Sequence, residues 1–183
     1  MILPIVAYGS SVLRKDTVEV TPDYEGLSDL INNMFETMYK AEGIGLAAPQ
    51  VGRSLRLFIV DASPIGEDDE TVRDFKRVFI NPKILEYIGE EVTYNEGCLS
   101  IPGIHESVTR RNGFRMKYFD ENFQEHEEVF EGMRARVMNH EYDHLDGIMF
   151  TDLLSPLKKR LLKGKLTAIG KGKIHTSYIM RYV

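Results

Sequence analysis

The sequence contains a single cysteine, Cys98. That excludes an internal disulfide framework and fits a reducing, cytoplasmic setting. No apolar run approaches the roughly eighteen residues that mark a membrane span, so no membrane partner is expected. The opening Met1-Ile2-Leu3-Pro4-Ile5-Val6 lacks a positively charged start, and Pro4 and Gly9 interrupt it. Neither a signal peptide nor an Arg-rich transit peptide is expected there. Acidic side chains are missing from residues 153–183, which hold eight basic ones: Lys158, Lys159, Arg160, Lys163, Lys165, Lys171, Lys173 and Arg181. The remainder has 15 basic against 28 acidic residues, a net −13 behind the overall −5. A basic tail on an acidic body suits an anionic partner, although a solvated helix face is the simpler account.

What is present is ordinary for a globular protein: 43% hydrophobic and 28% charged residues in a chain of 183. One domain, with one core and a cleft, is expected over 1–183. Thr21-Pro22-Asp23 reads as N-cap, first position and first-turn acid. Leu27, Leu30, Ile31, Met34 and Met38 follow at helical steps, predicting an amphipathic helix over 22–41 that Gly43 ends. Short β-rich stretches then predict strands at 55–61, 78–80, 84–94, 105–110, 113–119 and 127–130, with a hairpin turn at Asp120-Glu121-Asn122. Met133, Val137, His140 and His144 share one face of a second helix, 132–146, which Gly147 closes. Ser155-Pro156 opens a basic helix ending near Gly164 or Gly170, and 174–183 reads as a closing strand. Short, mostly antiparallel strands around a central helix, without regular βα alternation, predict an α+β fold.

The chemistry concentrates in His140-Glu141-Tyr142-Asp143-His144. One helical turn puts both imidazoles on the same face, where they can share a metal ion, and Glu141 can serve as acid/base beside them. The bland reading is a buried, hydrogen-bonded histidine pair in a core helix. A catalytic site of this kind needs a third protein ligand. A third histidine six residues beyond His144 is excluded because Phe150 stands there, and no glutamate follows Glu141. Asp146 faces away from His144, and Asp152 remains. An upstream ligand fits better, and Cys98 beside Gly97 is the best candidate. A lone cysteine is more often a small buried hydrophobe, and a Cys–His nucleophile is the other catalytic reading. Glu96 in Glu96-Gly97-Cys98 is expected to anchor its loop on Arg110 or Arg111.

Three separated motifs resemble those of the peptide deformylases: Gly43-Ile44-Gly45-Leu46-Ala47-Ala48-Pro49-Gln50, Glu96-Gly97-Cys98-Leu99-Ser100, and His140-Glu141-Tyr142-Asp143-His144. They stand in the family's order. The resemblance implies a metallohydrolase that removes the formyl group from the N-terminal formylmethionine of nascent polypeptides, releasing formate. It implies that Cys98, His140 and His144 hold one divalent ion, ferrous iron, with zinc, nickel or cobalt able to replace it. Glu141 would be the acid/base, and the Gln50 amide and Leu99 N–H would bind the oxyanion. Gly43, Ile44, Gly45, Met133 and Val137 would contact the substrate, the glycines by pairing with its backbone as an added strand. Formylated chains first appear at the ribosome, so the basic C-terminal segment, 155–183, is expected to make a weak ribosome contact. The sequence departs from the family pattern at His105, where many members carry arginine in a loop, and at Asn139, where glutamine is commoner.

Overall fold

The computed structural model describes residues 1–183. In chain order the elements are β1 (Ile5–Val6), α1 (Leu27–Lys40), β2 (Gly45–Ala47), β3 (Leu57–Asp61), β4 (Lys76–Cys98), β5 (Ile101–Phe119), β6 (Glu125–Glu131), α2 (Gly132–Leu145), α3 (Pro156–Gly170) and β7 (Met180–Arg181), joined partly by short 3-10 turns. Five strands form an antiparallel sheet in the order β2-β3-β4-β5-β6, while β1 and β7 pair in parallel apart from it. The architecture is α+β.

β3 explains how the helices and the sheet fit together. Its five residues are all buried. Leu57 and Ile59 pack with Leu27, Leu30, Ile31, Met34 and Met38 of α1. Phe58 and Val60, on the opposite face, join a cluster with Phe79, Phe114, Phe130 and the α2 residues Ala135, Val137 and Met138. A strand covered on both faces needs apolar residues at every position rather than at alternate ones, which is what Leu57-Phe58-Ile59-Val60 supplies. A third cluster seats α3 through Leu162, Leu166 and Ile169 against Ile101, Ile104 and Val108 of β5. α2 is buried from Ala135 through Glu141 and again at Asp143, His144 and Leu145.

Several boundaries differ from the sequence expectation. α1 begins at Leu27 rather than at residue 22, because Gly26 adopts φ 75° and Tyr24 N–H returns to the Thr21 carbonyl in a turn. At its other end the left-handed position falls on Glu42, φ 56°, and Gly43 N–H closes onto the Met38 carbonyl. The separate stretches expected at 78–80 and 84–94 are one 23-residue strand, and those at 105–110 and 113–119 are one of 19. Asn81-Pro82, which separated two of those stretches, lies at a register shift that the sheet absorbs as a bulge, and Gly89, inside the expected 84–94 strand, lies at another. Asn81 keeps its left-handed backbone because its side chain bonds both the N–H and the C=O of Val20. β1 and β2 were not expected. The closing strand is only Met180–Arg181, since most of 174–179 runs irregularly past the end of the β4–β5 hairpin. α3 continues through Gly164 to Gly170, and the 120–122 turn forms as expected, with the Asp120 carboxylate accepting from Asn122 and Gln124 N–H.

Candidate metal centre and cleft

β4 and β5 form a long hairpin whose last paired residues are Cys98 and Ile101, so Leu99-Ser100 is its tip. The tip lies against α2, and a buried carboxylate fastens the two together. Glu96 accepts hydrogen bonds from Arg110 of β5 (2.8 and 3.1 Å), from Arg136 of α2 (2.7 Å) and from His140 Nδ1 (2.9 Å). Arg110 also reaches Asp143 (2.7 Å), and Arg136 donates to the carbonyls of Val108 (3.0 Å) and Val92 (2.6 Å) while lying 5.0 Å over the Tyr94 ring. Burial alone would raise the Glu96 carboxyl, but the bonds from His140 and Arg110 outweigh it and hold Glu96 well below the usual carboxylate range. With Nδ1 of His140 committed to Glu96, its Nε2 is left free to act as a ligand.

Three donor side chains converge beside this network. The ligand atoms of Cys98, His140 and His144 all lie within 4.8 Å of one another, and Cys98 Sγ is 3.4 Å from His144 Nε2. His144 is fully buried, with its Nδ1 unpartnered, and Glu141 Oε2 is likewise buried without a partner. Burial pushes the Glu141 carboxyl up to about 7. An orphaned buried carboxylate oxygen of Glu141 beside one thiol and two imidazoles is what a site completed by a bound species leaves behind. This donor set suits a borderline or soft divalent ion. The residues present therefore fit a metal centre.

The first motif forms the opposite wall. Gln50 is held in place by accepting from Ala47 N–H (2.9 Å), and its amide nitrogen lies 3.4 Å from Cys98 Sγ and 3.3 Å from Ser100 Oγ. A Cβ on Gly45 would lie 2.5 Å from Glu141 Oε1, so only glycine lets β2 and α2 approach this closely. A cleft of about 500 Å³ opens between Gly43–Gly45, Gln50, Cys98, Leu99, His140 and Glu141. A smaller recess of about 140 Å³ is lined by Ile44, Met133 and Val137 together with Glu96, Gly97 and Arg136. β2 is the outermost strand of the five, with β3 its one neighbour in the sheet.

Of the residues singled out from sequence, Gly43, Ile44, Gly45, Gln50, Cys98, Leu99, His140 and Glu141 line the main cleft, Met133 and Val137 line the smaller recess, and His144 is buried beside Cys98. Arg110, not Arg111, is the partner of Glu96; Arg111 bonds the Gly89 carbonyl at the surface. His105 belongs to β5 rather than to a loop and lies at the cleft, against Gly97. His126 pairs with Asp120, and His175 is exposed. Sequence reasoning missed Arg136, Asp143 and Tyr178. The signal for Arg136 was available, since it stands one helical turn before His140 on the same face.

A thiol, two imidazoles and a carboxylate at a cleft, on an α+β frame, fit the class of metal-dependent hydrolases. The comparisons narrow the class. The family model for polypeptide deformylase matches residues 2–160. The peptide deformylase of Christiangramia forsetii is 51% identical over 100% of this chain and 96% of its own length. Among solved structures, the peptide deformylase of Thermus thermophilus has a TM-score of 0.82 at 40% identity, covering 94% of this chain and 99% of that one. The enzyme from Legionella pneumophila has a TM-score of 0.82 at 38% identity, covering 94% and 98%. The chain belongs to the peptide deformylase family, hydrolases that remove the N-formyl group from nascent polypeptides and depend on a metal.

The Glu96 network makes a stability prediction. Arg110→Met leaves Asp143 without its ion-pair partner and strips two bonds from Glu96 in a buried setting. It should lower the unfolding free energy by about 3 kcal/mol in urea titrations at neutral pH. A loss below about 1 kcal/mol would mean that the buried carboxylates do not depend on it.

Proposed function

We propose that Cys98, His140 and His144 hold one divalent ion, ferrous iron, with zinc, nickel or cobalt able to replace it. The observation that carries this reading is the convergence of their ligand atoms within 4.8 Å beside the unpartnered Glu141. A bound ion supplies Lewis acidity and makes a nucleophile of water near neutral pH. The remaining roles belong to the chain itself. Glu141 takes the proton from the attacking water and passes it to the departing amine. The Gln50 amide and the Leu99 N–H donate to the oxyanion, each such donor being worth about 3 kcal/mol when held in place. The peptide backbone pairs with Gly43, Ile44 and Gly45 along the outer edge of β2, and the recess formed by Ile44, Met133 and Val137 receives the methionine side chain. Residues 1–183 act together as one catalytic domain in the bacterial cytoplasm, where the free Cys98 stays reduced.

Glu141→Gln keeps the shape of the side chain and cannot accept the proton. It should retain one metal ion per chain and lose turnover on a formyl-Met peptide by about a hundredfold or more. Cys98→Ala, analysed alongside, should lose tight metal binding. Wild-type turnover in metal-loaded Glu141→Gln, or full tight occupancy in Cys98→Ala, would refute these roles.

The basic C-terminal segment is proposed to give the enzyme a weak contact with the ribosome, where formylated N-termini emerge. Lys158 is engaged by Glu106, whereas Lys159, Arg160 and Lys163 are exposed on α3. Attraction to an anionic surface is screened over about 8 Å at physiological salt, so it requires such a cluster. Changing Lys159, Arg160 and Lys163 together to Glu should reduce co-sedimentation with ribosomes at low salt and leave turnover on short formyl-peptides unchanged. Equal co-sedimentation of the two proteins would remove the contact from the account.

A further inference from the structure

The hairpin tip that carries Cys98 and Leu99 is held from three sides. Tyr8 N–H donates to the Ser100 carbonyl (2.9 Å), and Gln50 Nε2 lies 3.3 Å from Ser100 Oγ. The third hold comes from the other end of the chain, where the Tyr178 hydroxyl donates to the Leu99 carbonyl at 2.8 Å. Leu99 N–H has no acceptor within the protein. Tyr178 also borders the main cleft together with Leu99 and Gln50. It lies beyond residue 160, outside the part of the chain that the family model matches.

The segment that delivers Tyr178 is anchored on both sides of it. Thr176 Oγ1 donates to the Tyr178 carbonyl (2.8 Å), Ile5 N–H to the Ile179 carbonyl (2.9 Å) and Ala7 N–H to the Arg181 carbonyl (2.9 Å). The short parallel pairing of β1 with β7 thus brings Tyr8 and Tyr178 to the same two-residue tip. Fixing the Leu99 and Ser100 carbonyls restricts the dihedrals on either side of the Leu99–Ser100 peptide. A tip of two residues then has little freedom left to rotate the Leu99 N–H.

We propose that Tyr178 is a positioning residue for deformylation: by holding the Leu99 carbonyl it keeps the Leu99 N–H directed into the cleft, where the oxyanion forms. The inference rests on the reading of Leu99 and Gln50 as oxyanion donors. Tyr178 touches no reacting atom, and its effect belongs to the transition state rather than to peptide binding.

The test compares zinc-loaded wild type, Tyr178→Phe, Tyr182→Phe and Gln50→Leu. Steady-state rates are measured on a formyl-Met-Ala peptide, and the Leu99 amide resonance in protein labelled with ¹⁵N-leucine. Phe at 178 keeps the ring of a half-buried side chain, so the fold is retained, and thermal melting checks this. In Tyr178→Phe, kcat should fall about three- to tenfold with KM within about twofold, and the Leu99 resonance should shift or broaden. Tyr182→Phe should match wild type in both readouts. A wild-type kcat in Tyr178→Phe, a raised KM at unchanged kcat, or a fallen kcat with an unmoved Leu99 resonance each overturn the proposal. Gln50→Leu separates the two ideas. If it also keeps its kcat, the oxyanion reading has failed; if it alone loses kcat, only the role of Tyr178 falls.

Discussion

A carboxylate taken out of water survives as an anion only where donors replace its hydration, and Glu96 receives them from both β5 and α2. Arg110 comes from β5, Arg136 and His140 from α2, and the four side chains are buried together. Buried ion pairs add little net stability, since desolvation offsets much of the attraction, but removing one partner is costly. The network therefore acts mainly on geometry. It fixes how far the hairpin slides along α2, and so the distance from Cys98 to the two histidines. It also commits His140 Nδ1, which decides which ring nitrogen faces the thiol. The metal-site geometry, the closeness of Gln50 to Cys98 and Ser100, and the approach of β2 over Glu141 all depend on that placement.

The cleft shows how little of an enzyme needs to be local in sequence. Its walls come from an edge strand of three residues, a hairpin tip, a buried helix and a tail that returns from the far end of the chain. Edge strands are usually blunted because their unpaired backbone invites association. Here β2 is only three residues long and lies against Glu141 of α2. Gly45 makes this possible, because any side chain there would collide with the Glu141 carboxylate.

Where the fold was legible in the sequence, the signal was local. α1 announced itself through Leu30, Ile31, Met34 and Met38, and the one-turn spacing of His140 and His144 required only that 132–146 be helical. Cys98 was reached by excluding later ligands and by the resemblance of its motif. Asn81-Pro82 misled because turn chemistry also serves bulges, and only the partner strand distinguishes the two. β2 stayed hidden in a Gly/Ala-rich stretch of three residues whose strand character comes from pairing with β3. Arg136 was overlooked because an arginine in a helix normally marks the solvent face; its burial depends on Glu96, 40 residues away. Tyr178 carried no sequence signal, since its partner is a backbone carbonyl.

The central claim is that one thiolate and two imidazoles form the protein's share of a metal centre. X-ray absorption at the metal edge of anaerobically prepared protein tests it directly. The account predicts a first coordination sphere with one sulfur near 2.3 Å and two imidazole nitrogens at about 2.0–2.1 Å, values typical of such ligands on zinc. A sphere with no sulfur, or with only one imidazole, would contradict it.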